Sequence, residues 1–112
     1  MEIGCGTGAT VFPLLEEVEN IFVHACDLSK VAIDLVKGHA NFTSKKVNAF
    51  VFDLTSDTPP PIERHSVDVL SLIFVLSALN PKTWTNAMRN LNYVGNILND
   101  SFYRFIIRLF YI

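Results

Sequence analysis

The chain has 112 residues, 50% of them hydrophobic, with 9 Lys/Arg against 11 Asp/Glu and a formal net charge of −2. That is enough apolar material for a single buried core, and the balance excludes a polycation that binds its partners by charge alone. Residues 1–68 hold ten acids and five Lys/Arg, and residues 69–112 one acid and four Lys/Arg, a tilt too small to mark a nucleic-acid face.

Met1-Glu2-Ile3 reads as the last residues of a strand whose beginning precedes the sequence. A glycine loop follows, Gly4-Cys5-Gly6-Thr7-Gly8, and then Val11, Leu14, Leu15 and Val18 recur at helical spacing. Pro13 falls in the first turn of that helix, where its missing N–H would have no acceptor anyway. Ile21 to Cys26 is a short buried strand closed by Asp27. Ser29 stands as N-cap of a helix over Val31 to Lys37, and Gly38 sits where a helix commonly stops. Val47 to Phe52 is a third strand, closed by Asp53, and the proline-rich Ser56 to Pro61 is a loop. Val67 to Phe74 is a fourth strand, Pro81 opens a helix with Trp84, Met88 and Leu91 on one face, and a fifth strand is expected around Phe105 to Phe110. Apolar strands alternating with amphipathic helices give the α/β class: one domain over 1–112, a Rossmann-like parallel sheet flanked by helices.

The two cysteines, Cys5 and Cys26, have no metal-ligand spacing and read as buried reduced thiols. They fit a reducing compartment, so the cytoplasm is expected, with nucleus and mitochondrion left open. No signal peptide is read at the N-terminus. The apolar run Phe102 to Ile112 contains Arg104 and Arg108 and is short of the roughly 20 residues of a bilayer span, so no membrane partner and no metal are expected.

The chemistry concentrates at Glu2-x-Gly4-x-Gly6-x-Gly8. Glycines allow a tight turn and close approach of backbone to a ligand, at the strand ends where open parallel sheets bind cofactors. Asp27, ending the second strand, can accept both hydroxyl protons of a ribose; its alternative role is to cap the helix that follows. Asp53, with the Leu54 N–H beside it, can read the amino edge of an adenine. A nicotinamide site favours Gly-x-Gly-x-x-Gly, with the third glycine one place later than Gly8. The spacing here and an acid two residues upstream favour S-adenosylmethionine, because Glu2 would attract its ammonium or sulfonium and repel a pyrophosphate.

Glu2 to Gly8, Val11-Phe12-Pro13-Leu14-Leu15, Ala25-Cys26-Asp27-Leu28-Ser29, Asp53-Leu54 and Leu72-Ile73-Phe74-Val75-Leu76-Ser77-Ala78-Leu79 resemble the tRNA N(3)-methylcytidine methyltransferases, a class I family of methyltransferase-like proteins. The likeness runs from Met1 to about Leu91. It implies S-adenosylmethionine as cofactor, held around Gly4, Gly6, Gly8, Asp27, Asp53, Leu54 and Ile73, and tRNA as partner, methylated at N3 of a cytidine in the anticodon loop. No catalytic residue is assigned: N3 already carries a lone pair, so transfer needs alignment more than a base. His24, His39 and His65 read as structural or solvated, and Phe74 and Trp84 are candidates to stack on a splayed base.

The likeness also has limits. The sequence reads as starting inside the first strand, without the region that precedes it in the family; residues 92–112 read as a divergent tail without the family's Leu-Lys-Pro-Gly-Gly and Arg-Asp-Tyr segments, and Asn80 stands where His is common. The expectation is an incomplete domain that binds cofactor but does not match a full-length relative in turnover. The alternative is an inactive cofactor-binding or interaction module whose exposed sheet edge a protein partner covers.

Overall fold

The computed structural model describes residues 1–95 and the backbone of 104–108. It divides into two compact units, one of Glu2–Phe52 and one of Met1 with Asp53–Ile112.

The first unit runs β1 (Glu2–Ile3), α1 (Val11–Glu17), β2 (Val23–Asp27), α2 (Lys30–Lys37), β3 (Val47–Val51). The strand β2 pairs in parallel with both others, Ile3 opposite Cys26 on one side and Ala25 opposite Ala49 on the other. Parallel neighbours need a helical crossover, and the two helices supply it. The core gathers Cys5, Val11, Phe12, Val23, Ala25, Ile33, Val36, Val47 and Ala49, with Leu15 packed against it. Asp27 ends β2, as the sequence indicates, and Ser29 caps α2 by accepting from the Ala32 N–H at 3.2 Å. The apolar stripe expected on α1 is corrected: Val11 and Phe12 are buried, while Leu14 and Val18 are exposed. The helix is only seven residues long, and Val18 already has extended backbone at its C-cap. Phe12 fills the core because its ring lies against Gly8 and stacks on His39, with ring centroids 3.6 Å apart.

The second unit contains β4 (Val69–Ile73), α3 (Val75–Ala78), a 3-10 turn over Pro81–Thr83, α4 (Trp84–Gly95) and β5 (Arg104–Arg108). The strands β4 and β5 pair in parallel, Val69 opposite Arg104 and Ile73 opposite Arg108. Met1 lies along β4, its ammonium donating to the Val69 carbonyl and its carbonyl accepting from the Ser71 N–H. The fourth strand stops one residue short of the expected Phe74, which adopts the left-handed region at φ 60° and turns the chain into α3. That short helix is absent from the sequence reading, since an unbroken apolar run carries no stop signal and no glycine marks the turn.

Of Trp84, Met88 and Leu91, which share one face of α4, only Leu91 is buried. Ala87, Asn90, Leu91 and Val94 are buried, and Trp84 and Met88 are exposed. The helix is rotated so that Asn90 meets the turn at residues 54–56. Among the described residues, no helix is long and apolar enough to cross a membrane.

Candidate functional site

All three loop glycines have positive φ: 75° at Gly4, 55° at Gly6 and 94° at Gly8, a region L side chains enter at a cost. The loop is tied to the end of β2 by the Gly4 and Cys5 N–H groups, which both donate to the Cys26 carbonyl, at 2.8 and 3.0 Å. Gly8 is also a steric necessity, since a Cβ there would lie 2.4 Å from the Phe12 ring. A Cβ on Gly6 would meet nothing within 4 Å. The direction a side chain would take from Gly6 is open.

Asp27 does more than either reading from the sequence supposed. Its Oδ2 accepts from the Gly6 N–H at 2.8 Å and its Oδ1 from the Ser29 N–H at 2.9 Å. One carboxylate thus fixes the glycine loop and the entry to α2 together. An ionised carboxylate offers about four acceptor positions, so a ribose can still be bound beside these two N–H groups.

Glu2 is 8% exposed, and its Oε2 is buried with no hydrogen-bond partner among the described residues. Burial pushes its pKa up to about 7, against the pull of the Thr10 side chain and the chain's amino terminus; the nearby Asp27 carboxylate adds to the rise. A buried acceptor without a donor is costly, and a cation or ammonium donor would relieve it. That orphaned oxygen, two residues before the glycine loop, fits a positively charged cofactor and does not fit a pyrophosphate.

Neither cysteine is a nucleophile at neutral pH. Both are free and buried; burial pushes the Cys5 thiol up to about 12 and raises Cys26 as well. The histidines have structural surroundings. His24 Nδ1 pairs with the Asn48 amide, and burial lowers its pKa. His39 stacks on Phe12, and His65 contacts the Arg64 side chain. A cleft of about 430 Å³ opens beside Gly8, Phe12, Pro13 and His39, but neither Glu2 nor Asp27 lines it.

In the second unit, Asp53 is exposed at the start of a turn, and its Oδ1 accepts from both the N–H and the hydroxyl of Thr55, at 2.9 and 2.7 Å. Leu54 is buried, and Ile73 ends β4 half-buried. Of the stacking candidates, Phe74 is half-buried in its left-handed conformation and Trp84 is exposed at the start of α4. The sequence reading passed over Asn90, which is 2% exposed and donates to the carbonyls of Leu54 and Ser56 at 2.8 and 2.9 Å. The signal available was a polar residue placed inside the stripe Ala87, Leu91, Val94. Among the described residues, no group of three or more His, Cys, Asp or Glu could hold a metal ion.

The family description "Methyltransferase domain" matches residues 1–95. The chain belongs to that family. Its sequence is 41% identical over 101 residues to the tRNA N(3)-cytidine methyltransferase METTL2 of Danio rerio, covering 88% of this chain and 28% of that protein. It is 45% identical over 96 residues to the tRNA(Thr) (cytosine(32)-N(3))-methyltransferase of Saccharomyces cerevisiae, covering 81% of this chain and 15% of that one. This methyltransferase domain therefore spans less than a third of the relatives it matches. Among solved structures, a TehB-like SAM-dependent methyltransferase from Corynebacterium glutamicum superposes on 95% of the chain and 51% of its own length, with TM-score 0.68 and 23% identity. The fold is the Rossmann-like parallel sheet with flanking helices of class I methyltransferases, as the sequence pattern implies.

Proposed function

We propose that this methyltransferase domain binds S-adenosylmethionine and serves the methylation of tRNA at N3 of a cytidine in the anticodon loop. The observation that carries the cofactor is the orphaned, buried Oε2 of Glu2; the substrate rests on the likeness to tRNA N(3)-cytidine methyltransferases.

When bound, S-adenosylmethionine supplies an electrophilic methyl group on a sulfonium. Glu2 offers its unpaired oxygen to the cationic end, and Gly6, held by Asp27, lets backbone approach the ligand without a Cβ in the way. Asp27 accepts the ribose hydroxyls, and Asp53 with the Leu54 N–H reads the adenine edge. Gly4, Gly8 and Ile73 are the remaining residues proposed to contact the cofactor. Cytidine N3 already carries a lone pair and would need no base, so what the chain's residues would provide is alignment. We place the activity in the cytoplasm, a reading supported by two buried, unpaired thiols.

Two measurements test this. Calorimetry with S-adenosylhomocysteine and with NAD should show binding of the first and none or far weaker binding of the second; the reverse order overturns the cofactor. Incubation with methyl-labelled cofactor and total tRNA, followed by nucleoside digestion, should place label in 3-methylcytidine. Label in another nucleoside, or none while cofactor binding is intact, overturns the substrate.

A further inference from the structure

The turn that carries Asp53 and Leu54 is held from outside by one turn of helix α4. Asn86, Arg89 and Asn90 stand at i, i+3 and i+4, on one face. The Asn86 amide donates to the Thr55 carbonyl at 3.0 Å and to Asp57 Oδ1 at 2.9 Å. The Arg89 guanidinium reaches the Ser56 and Asp57 carbonyls at the long distances of 3.5 and 3.4 Å, too stretched to hold them firmly. Asn90 is the strong member. Both amide N–H donors are used, on the Leu54 carbonyl at 2.8 Å and the Ser56 carbonyl at 2.9 Å, in a residue 2% exposed. An amide has two donors and both are consumed on this turn, so the side chain fixes two backbone positions at once.

The consequence reaches Asp53. Its Oδ1 is already engaged by Thr55, which leaves Oδ2 for a ligand and ties the carboxylate's orientation to the path of residues 54–56. The Leu54 carbonyl belongs to the Leu54–Thr55 peptide, whose N–H donates to Asp53 Oδ1, so Asn90 and the Asp53 carboxylate hold the same peptide plane from its two sides.

We propose that Asn90 is a positioning residue for adenine recognition: by holding the Leu54 and Ser56 carbonyls, it fixes the Leu54–Thr55 peptide, whose N–H orients the Asp53 carboxylate beside the Leu54 N–H. This rests on the proposed binding of the adenine by those two groups. Asn90 touches no ligand atom; it acts through the turn.

The test compares S-adenosylhomocysteine with its inosine analogue, in which an oxygen replaces the 6-amino group, by calorimetry on the 112-residue chain. A charge-assisted hydrogen bond read by Asp53 gives the unmodified chain a preference for the adenosine form of roughly 10-fold or more. In Asn90→Leu that preference should fall to about threefold or less, because the reading groups lose their fixed spacing. Asn86→Ala, at the exposed end of the same grip, should reduce the preference by a smaller factor and serves if Asn90→Leu does not fold. Met88→Ala, exposed on the same helix, should leave it unchanged. A folded Asn90→Leu, or Asn86→Ala in its place, that loses affinity equally for both ligands would show a merely structural asparagine and overturn the inference. If the unmodified chain binds both forms equally, the adenine reading at Asp53 fails, and the inference with it.

Discussion

The glycine loop and the Asp53 turn are both assigned to the cofactor, yet they are built in opposite ways. The loop is held by its own neighbourhood: positive φ at three glycines, two N–H groups on the Cys26 carbonyl, and one carboxylate two residues before the helix that it also anchors. The Asp53 turn has local bonds from Thr55 to the Asp53 carboxylate and from the Ser56 N–H to the Asp53 carbonyl, but its Leu54 and Ser56 carbonyls are held by Asn90, more than thirty residues later. Local construction makes a motif; distant construction makes a fold dependence. Substitutions should therefore act in the loop through backbone conformation and in the turn through loss of single hydrogen bonds.

Gly8→Ala should have the largest effect. It combines φ 94° with a Cβ placed 2.4 Å from the Phe12 ring, and a cost of about 2–4 kcal/mol is expected from strain and overpacking. Denaturant unfolding measures it; a loss below 1 kcal/mol would mean the Phe12–His39 stack yields easily and the loop is less rigid than drawn.

Asp27→Ala should come next, at about 1.5–3 kcal/mol, since hydrogen bonds to a charged acceptor are lost at both Gly6 and Ser29. Because the same carboxylate caps and positions, melting temperature and S-adenosylhomocysteine affinity should fall together. A change in only one of them would separate the two roles and break the claim that one carboxylate serves both.

On the other side of the comparison, Asn86→Ala should cost about 0.5–1.5 kcal/mol of stability, from loss of the bonds to Thr55 and Asp57. A thermal melt showing a loss as large as that of Asp27→Ala would erase the contrast between the two constructions.

Glu2 makes the stability of the domain depend on pH. Its pKa is raised in the fold from 4.5 to about 7, so the folded state binds more protons than the unfolded one between those values. Stability from this group is present below pH 4.5 and is lost as pH rises through about 7. Affinity for a cationic cofactor should run the other way, rising through the same interval as the carboxylate ionises. Glu2→Gln should flatten both slopes; calorimetry at pH 6 and pH 8 would contradict this if the variant kept the wild-type dependence of affinity.

How much was legible follows the same division. Gly4, Gly6 and Gly8, the acid ending β2, Ser29 as a cap and the strand–helix alternation were readable because each is decided within a few residues, by allowed backbone angles or by hydrophobic period. Phe74 was misassigned to a strand because nothing local marks a left-handed phenylalanine. The exposure of Leu14 and Val18 was misread because periodicity gives the existence of an apolar face but not which neighbour rotates it inward.

The sequence by itself determined the class of the fold, the loop that turns without Cβ atoms and the acids that stand at the strand ends. Those depend on sterics and on side-chain period, which act over one or two turns of chain. Only the tertiary structure decided that Glu2 is buried with an unpaired oxygen, that Asp27 grips Gly6 as well as Ser29, and that Asn90 carries the Leu54 turn. Desolvation and the pairing of polar groups across 21 or 36 residues depend on which segments the packing brings together, and no local pattern encodes that.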